Sequence, residues 1–259
     1  MKKLFEHNQL PIDDFNRLGL VSKGDITLDP YDLNALLFGR RTRLVTLNNL
    51  EANGFKIEKI DLKLSLDQNP DGALSLALHP IYKRPQYHKL LEDYEADSLL
   101  DASISNIVKV YQAGEKKGFE AVIEYDAQTR SFIAYDPRQI EAPFAINGIT
   151  LDDYQAKDFR QGAIVDLGDG TRFQHRASEA LGLLSNRSAL ILSFGNPGPF
   201  QHTLIRDISG FPSSKDRQLH YSSPAFQDAL KEYNPANYAA ISDGNYVDEY
   251  RETWMKPKR

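Results

Sequence analysis

The clearest pattern in the chain is an alternation. Ile60, Leu62, Leu64 and Leu66 alternate with Asp61, Lys63 and Ser65, and Leu74, Leu76 and Leu78 alternate with Ser75 and Ala77. Between the two runs stand Asp67, Gln68, Asn69, Pro70, Asp71 and Gly72, all turn formers. Period-two patterns on both sides of such a turn predict a β-hairpin with one leucine face buried. A second hairpin is predicted from Phe119 through Ile123 and Tyr125, turning at 126–130 and returning from Phe132 to Tyr135. Strands are predicted at 163–167 and 171–176 around Gly168, Asp169 and Gly170, and at 189–194.

Helices are short in this reading. Pro11 with Asp13 and Asp14, and Gly19 as an exit, predicts one near the N-terminus. Asp29 before Pro30 starts a second, which runs through Leu33, Leu36 and Leu37 to Gly39. Residues 87–100 read as helical, Ile149 to Tyr154 as a capped helix start, and Ser223-Pro224 as the start of a helix reaching Tyr233. From Gly195 onward the composition turns loop-like, with few aliphatic residues.

Ile12-Asp13-Asp14-Phe15 is echoed by Leu151-Asp152-Asp153-Tyr154, and each leads through a glycine to strands. The echo is consistent with two related helix-plus-hairpin domains and equally with coincidence, since short helix starts look alike. The expected architecture is α+β, with two hairpin-rich antiparallel domains over 1–90 and 91–195. A mostly irregular tail with a short helix follows over 196–259.

Composition removes several classes of function. The chain of 259 residues has no cysteine, so disulfides, thiolate zinc sites, iron–sulfur clusters and a cysteine nucleophile are all excluded. No apolar run follows the first lysines and none approaches the ~18 residues of a membrane span, so a cytoplasmic location is expected. Net charge is −5, but residues 1–90 carry +2 and residues 91–259 carry −7.

The order of motifs resembles one family of bacterial proteins. Leu10-Pro11 through Phe15, Leu18-Gly19-Leu20, residues 33–42 and the leucine hairpin ending at His79-Pro80 are similar to one uncharacterised domain. Residues 119–126, Ile149-Thr150-Leu151, Gly162 and 189–194 are similar to a second. The two occur in tandem in proteins encoded on conjugative and other mobile elements of the Bacteroides type, sometimes beside DNA-processing enzymes. The resemblance spans roughly residues 10–195. It implies a mobile-element context and brings no catalytic residue with it.

Candidate chemistry is sparse. No two of the six histidines have the spacing of a helical metal pair, and His175 reads as a half-exposed strand residue. Asp13-Asp14 and Asp152-Asp153 point about 100° apart on a helix and are explained by the helix dipole. Gly168-Asp169-Gly170 and the glycine–proline run from Gly195 lack the phosphate-loop spacing. No catalytic, metal or cofactor-binding residue is assigned, and no cofactor is expected.

Two basic stretches suit nucleic acid instead. One holds Arg40, Arg41 and Arg43. The other interleaves Tyr82, Lys83, Arg84, Tyr87 and Lys89, pairing phosphate-binding cations with base-stacking rings. The bland reading of both is a solvated face, with arginines offsetting a helix C-terminus. In the tail Tyr246, Tyr250 and Trp254 recur at helical intervals and suit a protein partner. The sequence therefore points to a non-enzymatic accessory protein of a mobile element that binds another protein, such as the DNA-processing machinery. The alternative is a nucleic-acid-binding module.

Overall fold

The structure, a computed structural model, describes residues 3–52, 55–111, 118–195, 201–211 and 223–233. It is an α+β fold of small antiparallel sheets and short helices. None of the described helices is long and apolar enough to cross a membrane.

The first region opens with helix α1 (Ile12–Arg17), strands β1 (Val21–Ser22) and β2 (Asp25–Ile26), and helix α2 (Pro30–Leu37). Asp29 caps α2 by accepting from the Tyr31 amide at 2.8 Å, as the aspartate–proline pair predicts. Gly39 ends it at φ +71, where a side chain would be strained and would also meet Leu4. Strands β3 (Val45–Ala52), β4 (Phe55–Gln68) and β5 (Leu74–Pro80) form one sheet in that order, with Leu64 opposite Leu78 and Leu66 opposite Leu76. Leu62, Leu64 and Leu66 bury their face against Phe15, Leu36, Leu37 and Leu47. Each contributes about 1.5–3 kcal/mol of apolar burial.

An irregular stretch leads from β5 to helix α3 (Asp93–Leu100). The helix predicted over 87–100 thus starts only at Asp93, where Glu92 and Glu95 form a reciprocal capping box. Strands β6 (Asn106–Tyr111), β7 (Phe119–Asp126) and β8 (Ser131–Tyr135) form the next sheet, and α3 covers it through Ala96, Leu99, Ile123 and Phe132.

The remaining strands are β9 (Ala145–Ile146), β10 (Ile149–Thr150), β11 (Val165–Asp166), β12 (Arg172–His175), β13 (Leu183–Ser185), β14 (Ala189–Phe194) and β15 (Gln201–Arg206). They make two sheets, ordered β10-β9-β14-β15 and β11-β12-β13. Helix α4 (Asp153–Arg160) lies against them, its Phe159 packed with Phe173, Ile146 and Leu190. The helix start predicted from Ile149 splits into β10 and a cap at Asp152, which accepts from the Gln155 amide. β15 corrects the loop reading after Gly195, because Leu204 and Ile205 pair with Ile191 and Leu190. Helix α5 (Pro224–Tyr233) docks Phe226 and Leu230 on Ile191.

Candidate functional site

Where the two regions meet, the fold buries charge. Asp126, at the end of β7, accepts from Arg41 Nη1 at 3.0 Å and from Lys63 Nζ at 3.1 Å. All three side chains are at most 3% exposed. Arg41 also donates to Thr129 Oγ1, Ser131 Oγ and the Phe132 carbonyl, and Lys63 to the Ser178 carbonyl. Burial pushes the Asp126 carboxyl up, but Lys63 and Arg41 more than offset it and hold it below the usual carboxylate range.

A second set lies alongside. Glu124, fully buried, accepts from the Ser178 amide at 2.6 Å and faces Arg176 Nε at 3.4 Å. Arg176 donates to the Ser105 and Tyr125 carbonyls. Lys63 stands on the polar side of the leucine alternation yet is buried, with its ammonium bonded to Asp126 and the Ser178 carbonyl.

Arg40 is the exception to this pairing. It is buried, and among the described residues its Nε and Nη1 have no hydrogen-bond partner. Its guanidinium stacks 4.7 Å from the Phe38 ring centroid and lies over Gly182, where any Cβ would collide with it. Burial lowers its pKa to about 10. His175 is buried rather than half-exposed, because its ring packs 5.2 Å from that of Tyr135 and 5.5 Å from that of Phe159. Neither ring nitrogen completes a hydrogen bond. Burial, then the Arg40 charge, lower its pKa to about 3, with only partial relief from the Gly182 carbonyl.

Beside this network a cleft of about 250 Å³ is lined by Arg41, His79, Tyr82, Gln86, Tyr87, His88, Ser131 and Phe132. Its outer wall is held by backbone hydrogen bonds. The Tyr82 amide donates to the Thr129 carbonyl and the Gln86 amide to the Arg130 carbonyl, both at 3.1 Å. Arg130 Nη1 donates to the Lys83 carbonyl at 2.9 Å. His79 is bonded to Ser65 Oγ at 2.8 Å. Burial, then the Arg41 charge, lower its pKa to about 4. Burial, then Lys89, also lower that of His88. Both rings are neutral near pH 7.

The sequence-predicted residues therefore divide. Arg40 and Arg41 are buried, which removes them from any exposed basic surface. Arg43 is half-exposed but bridged to Asp32 at 2.8 Å and Asp29 at 2.9 Å, and the hydrogen bond to Asp32 raises its pKa. Tyr82 and Tyr87 line the cleft. Lys83, Arg84 and Lys89 are exposed and flank the lining residues in sequence. Tyr246, Tyr250 and Trp254 lie outside the described residues.

Sequence reasoning missed Lys63, Glu124 and Asp126. One signal was available: Glu124 and Asp126 end the run Phe119-Glu120-Ala121-Val122-Ile123-Glu124-Tyr125-Asp126, whose apolar stretch reads as a strand buried on both faces. It also passed over β6, an edge strand. β6 pairs only with β7 among the described residues, with Val108 39% and Val110 70% exposed. Lys109, between them, points to the other face and reaches Glu95 at 2.6 Å. Among the described residues no group of three or more His, Asp or Glu side chains could hold a metal ion.

A family model described as "Protein of unknown function (DUF4099)" matches residues 5–90, which therefore carry an uncharacterised domain. The matched span runs from the first helices through the leucine hairpin to the outer wall of the cleft. No curated protein and no solved structure matches the chain.

Proposed function

We propose that this chain is a non-enzymatic accessory protein of a bacterial mobile element and acts by binding a protein partner along the edge of β6 that no described strand covers. The observation that carries the reading is that edge. An exposed strand edge invites another strand, and natural sheets usually guard it with charge. Here the charge that would serve, Lys109, is drawn away to Glu95, leaving Val108 and Val110 exposed. An extended partner segment would gain main-chain hydrogen bonds from β6 and side-chain contacts from the two valines. The buried ionisable groups support the same reading, since Arg41, Lys63, Asp126, Glu124 and Arg176 are occupied with one another.

The test is affinity capture from the native host with the full chain and its Val108→Lys/Val110→Lys variant. The wild type should retain a specific protein that the variant loses, while both melt at the same temperature. Recovery of no specific partner, or equal recovery by both, refutes the proposal.

One observation favours the alternative of a nucleic-acid-binding module. Between His79 and Leu91 the chain has three cations, Lys83, Arg84 and Lys89, and no acid. All three are exposed and next in sequence to residues that line the cleft. This is a local reversal of the overall charge of −5.

A further inference from the structure

Resting on that second reading, we infer that the cleft at residues 79–88 is a subsite for one unpaired base of a single-stranded nucleic acid. The flanking phosphates would lie on Lys83, Arg84 and Lys89.

Three features of the cleft select this ligand. The first is its lining. Tyr87 is 72% exposed, while the amides of Tyr82 and Gln86 anchor the segment to Thr129 and Arg130. An exposed ring on a fixed backbone is a stacking platform that loses little freedom when a base settles on it. Tyr82 supplies a second ring, and the Gln86 amide and the second ring nitrogens of His79 and His88 supply uncharged donors and acceptors suited to a base edge.

The second feature is charge. The exposed cations Lys83, Arg84 and Lys89 neighbour the lining residues in sequence, and the groups lining the cleft are neutral apart from Arg41. Arg41 has Nη1 and Nη2 bonded to the protein, while its buried Nε has no acceptor among the described residues. Exposed cations around an aromatic interior whose one charge, Arg41, is already paired with Asp126 fit phosphates outside and a base inside. The third feature is size. About 250 Å³ is room for one planar ring system.

The experiment uses the full-length chain and a short fluorescent oligothymidine, read by anisotropy at low salt. It compares wild type, Tyr87→Ala, and the triple variant Lys83→Gln/Arg84→Gln/Lys89→Gln. It also compares the strand with an abasic strand of equal length and with duplex DNA. Tyr87 is exposed, so its removal leaves the fold intact. The inference expects Tyr87→Ala to weaken oligothymidine binding about 5- to 150-fold. The abasic strand should lose a similar factor on the wild type and little on Tyr87→Ala, and duplex should bind more weakly than the single strand. The triple variant should lower the salt slope by about 2.

No binding at low salt removes both the inference and the nucleic-acid reading. Charge-dependent binding that ignores Tyr87 and the missing bases, or that is equal for duplex, overturns the base subsite alone. If Tyr87→Ala abolishes capture of a protein partner but leaves oligothymidine binding unchanged, the cleft takes a side chain and the inference is also overturned.

Discussion

Replacing Asp126 by asparagine keeps the side chain's shape and removes one negative charge from the interior. Two cations then lose their counter-ion together, Arg41 with a side chain 3% exposed and Lys63 with 1%. Their remaining partners are neutral: Thr129, Ser131 and the Phe132 carbonyl for Arg41, and the Ser178 carbonyl for Lys63. Removing one member of a buried ion pair costs about 3–5 kcal/mol, mostly as the penalty of an uncompensated charge. For a chain of this size that corresponds to a fall in Tm of about 6–20 °C. Differential scanning calorimetry and urea titration on the full chain measure it. Adding Lys63→Met to Asp126→Asn should recover part of the loss, since it removes one stranded cation, with a coupling of about 0.5–3 kcal/mol. The exposed Arg17–Asp14 pair, with Arg17 76% exposed, supplies the control, and Arg17→Ala should cost less than about 0.5 kcal/mol. If Asp126→Asn costs as little as Arg17→Ala, water screens the network and the reasoning fails.

Two further predictions concern the unpaired groups beside it. Arg40→Met removes a buried cation that has no anion among the described residues and whose pKa burial lowers to about 10, so it should stabilise the protein by about 1–4 kcal/mol in urea titration. A destabilisation would show that the guanidinium's stacking on Phe38 outweighs its desolvation. His175, whose pKa falls from 6.5 to about 3, is held neutral in the folded state while the unfolded chain takes up a proton. Its contribution is therefore complete above about pH 6.5 and declines as pH falls toward 3, by about 1.4 kcal/mol per unit. Asp126, with a depressed pKa, adds its own loss only below about pH 4. The urea midpoint followed from pH 7 to pH 4.5 should fall in the wild type and fall less steeply in His175→Phe, and equal slopes would exclude His175 as the source.

Local signals carried much of the fold. The leucine hairpin, the caps at Asp29 and Asp152, the hairpin turning at 126–130 and the helix from Pro224 all follow from interactions within a few residues, and all are present. What was illegible depends on distance along the chain. Arg41 and Asp126 are 85 positions apart and Lys63 and Asp126 are 63 apart, so nothing near Lys63 announces that its face of β4 is covered. Arg40 and Arg41 looked like helix-end cations for the same reason. The stretch 82–89 was legible as an aromatic and basic mixture. Its placement against the turn between β7 and β8, which makes a cleft of it, came only from the long-range backbone bonds to Thr129 and Arg130.

The seam at Asp126 has a consequence for how this chain would come apart. Its two halves are joined by charge and hydrogen bonds as well as by apolar contact, and groups of that kind are comfortable in water once separated. A chain cut in the connection between β5 and α3 would yield pieces whose newly bared faces carry these charged groups. Such pieces should stay dissolved and find one another again by attraction between a lysine and arginine on one and a carboxylate on the other.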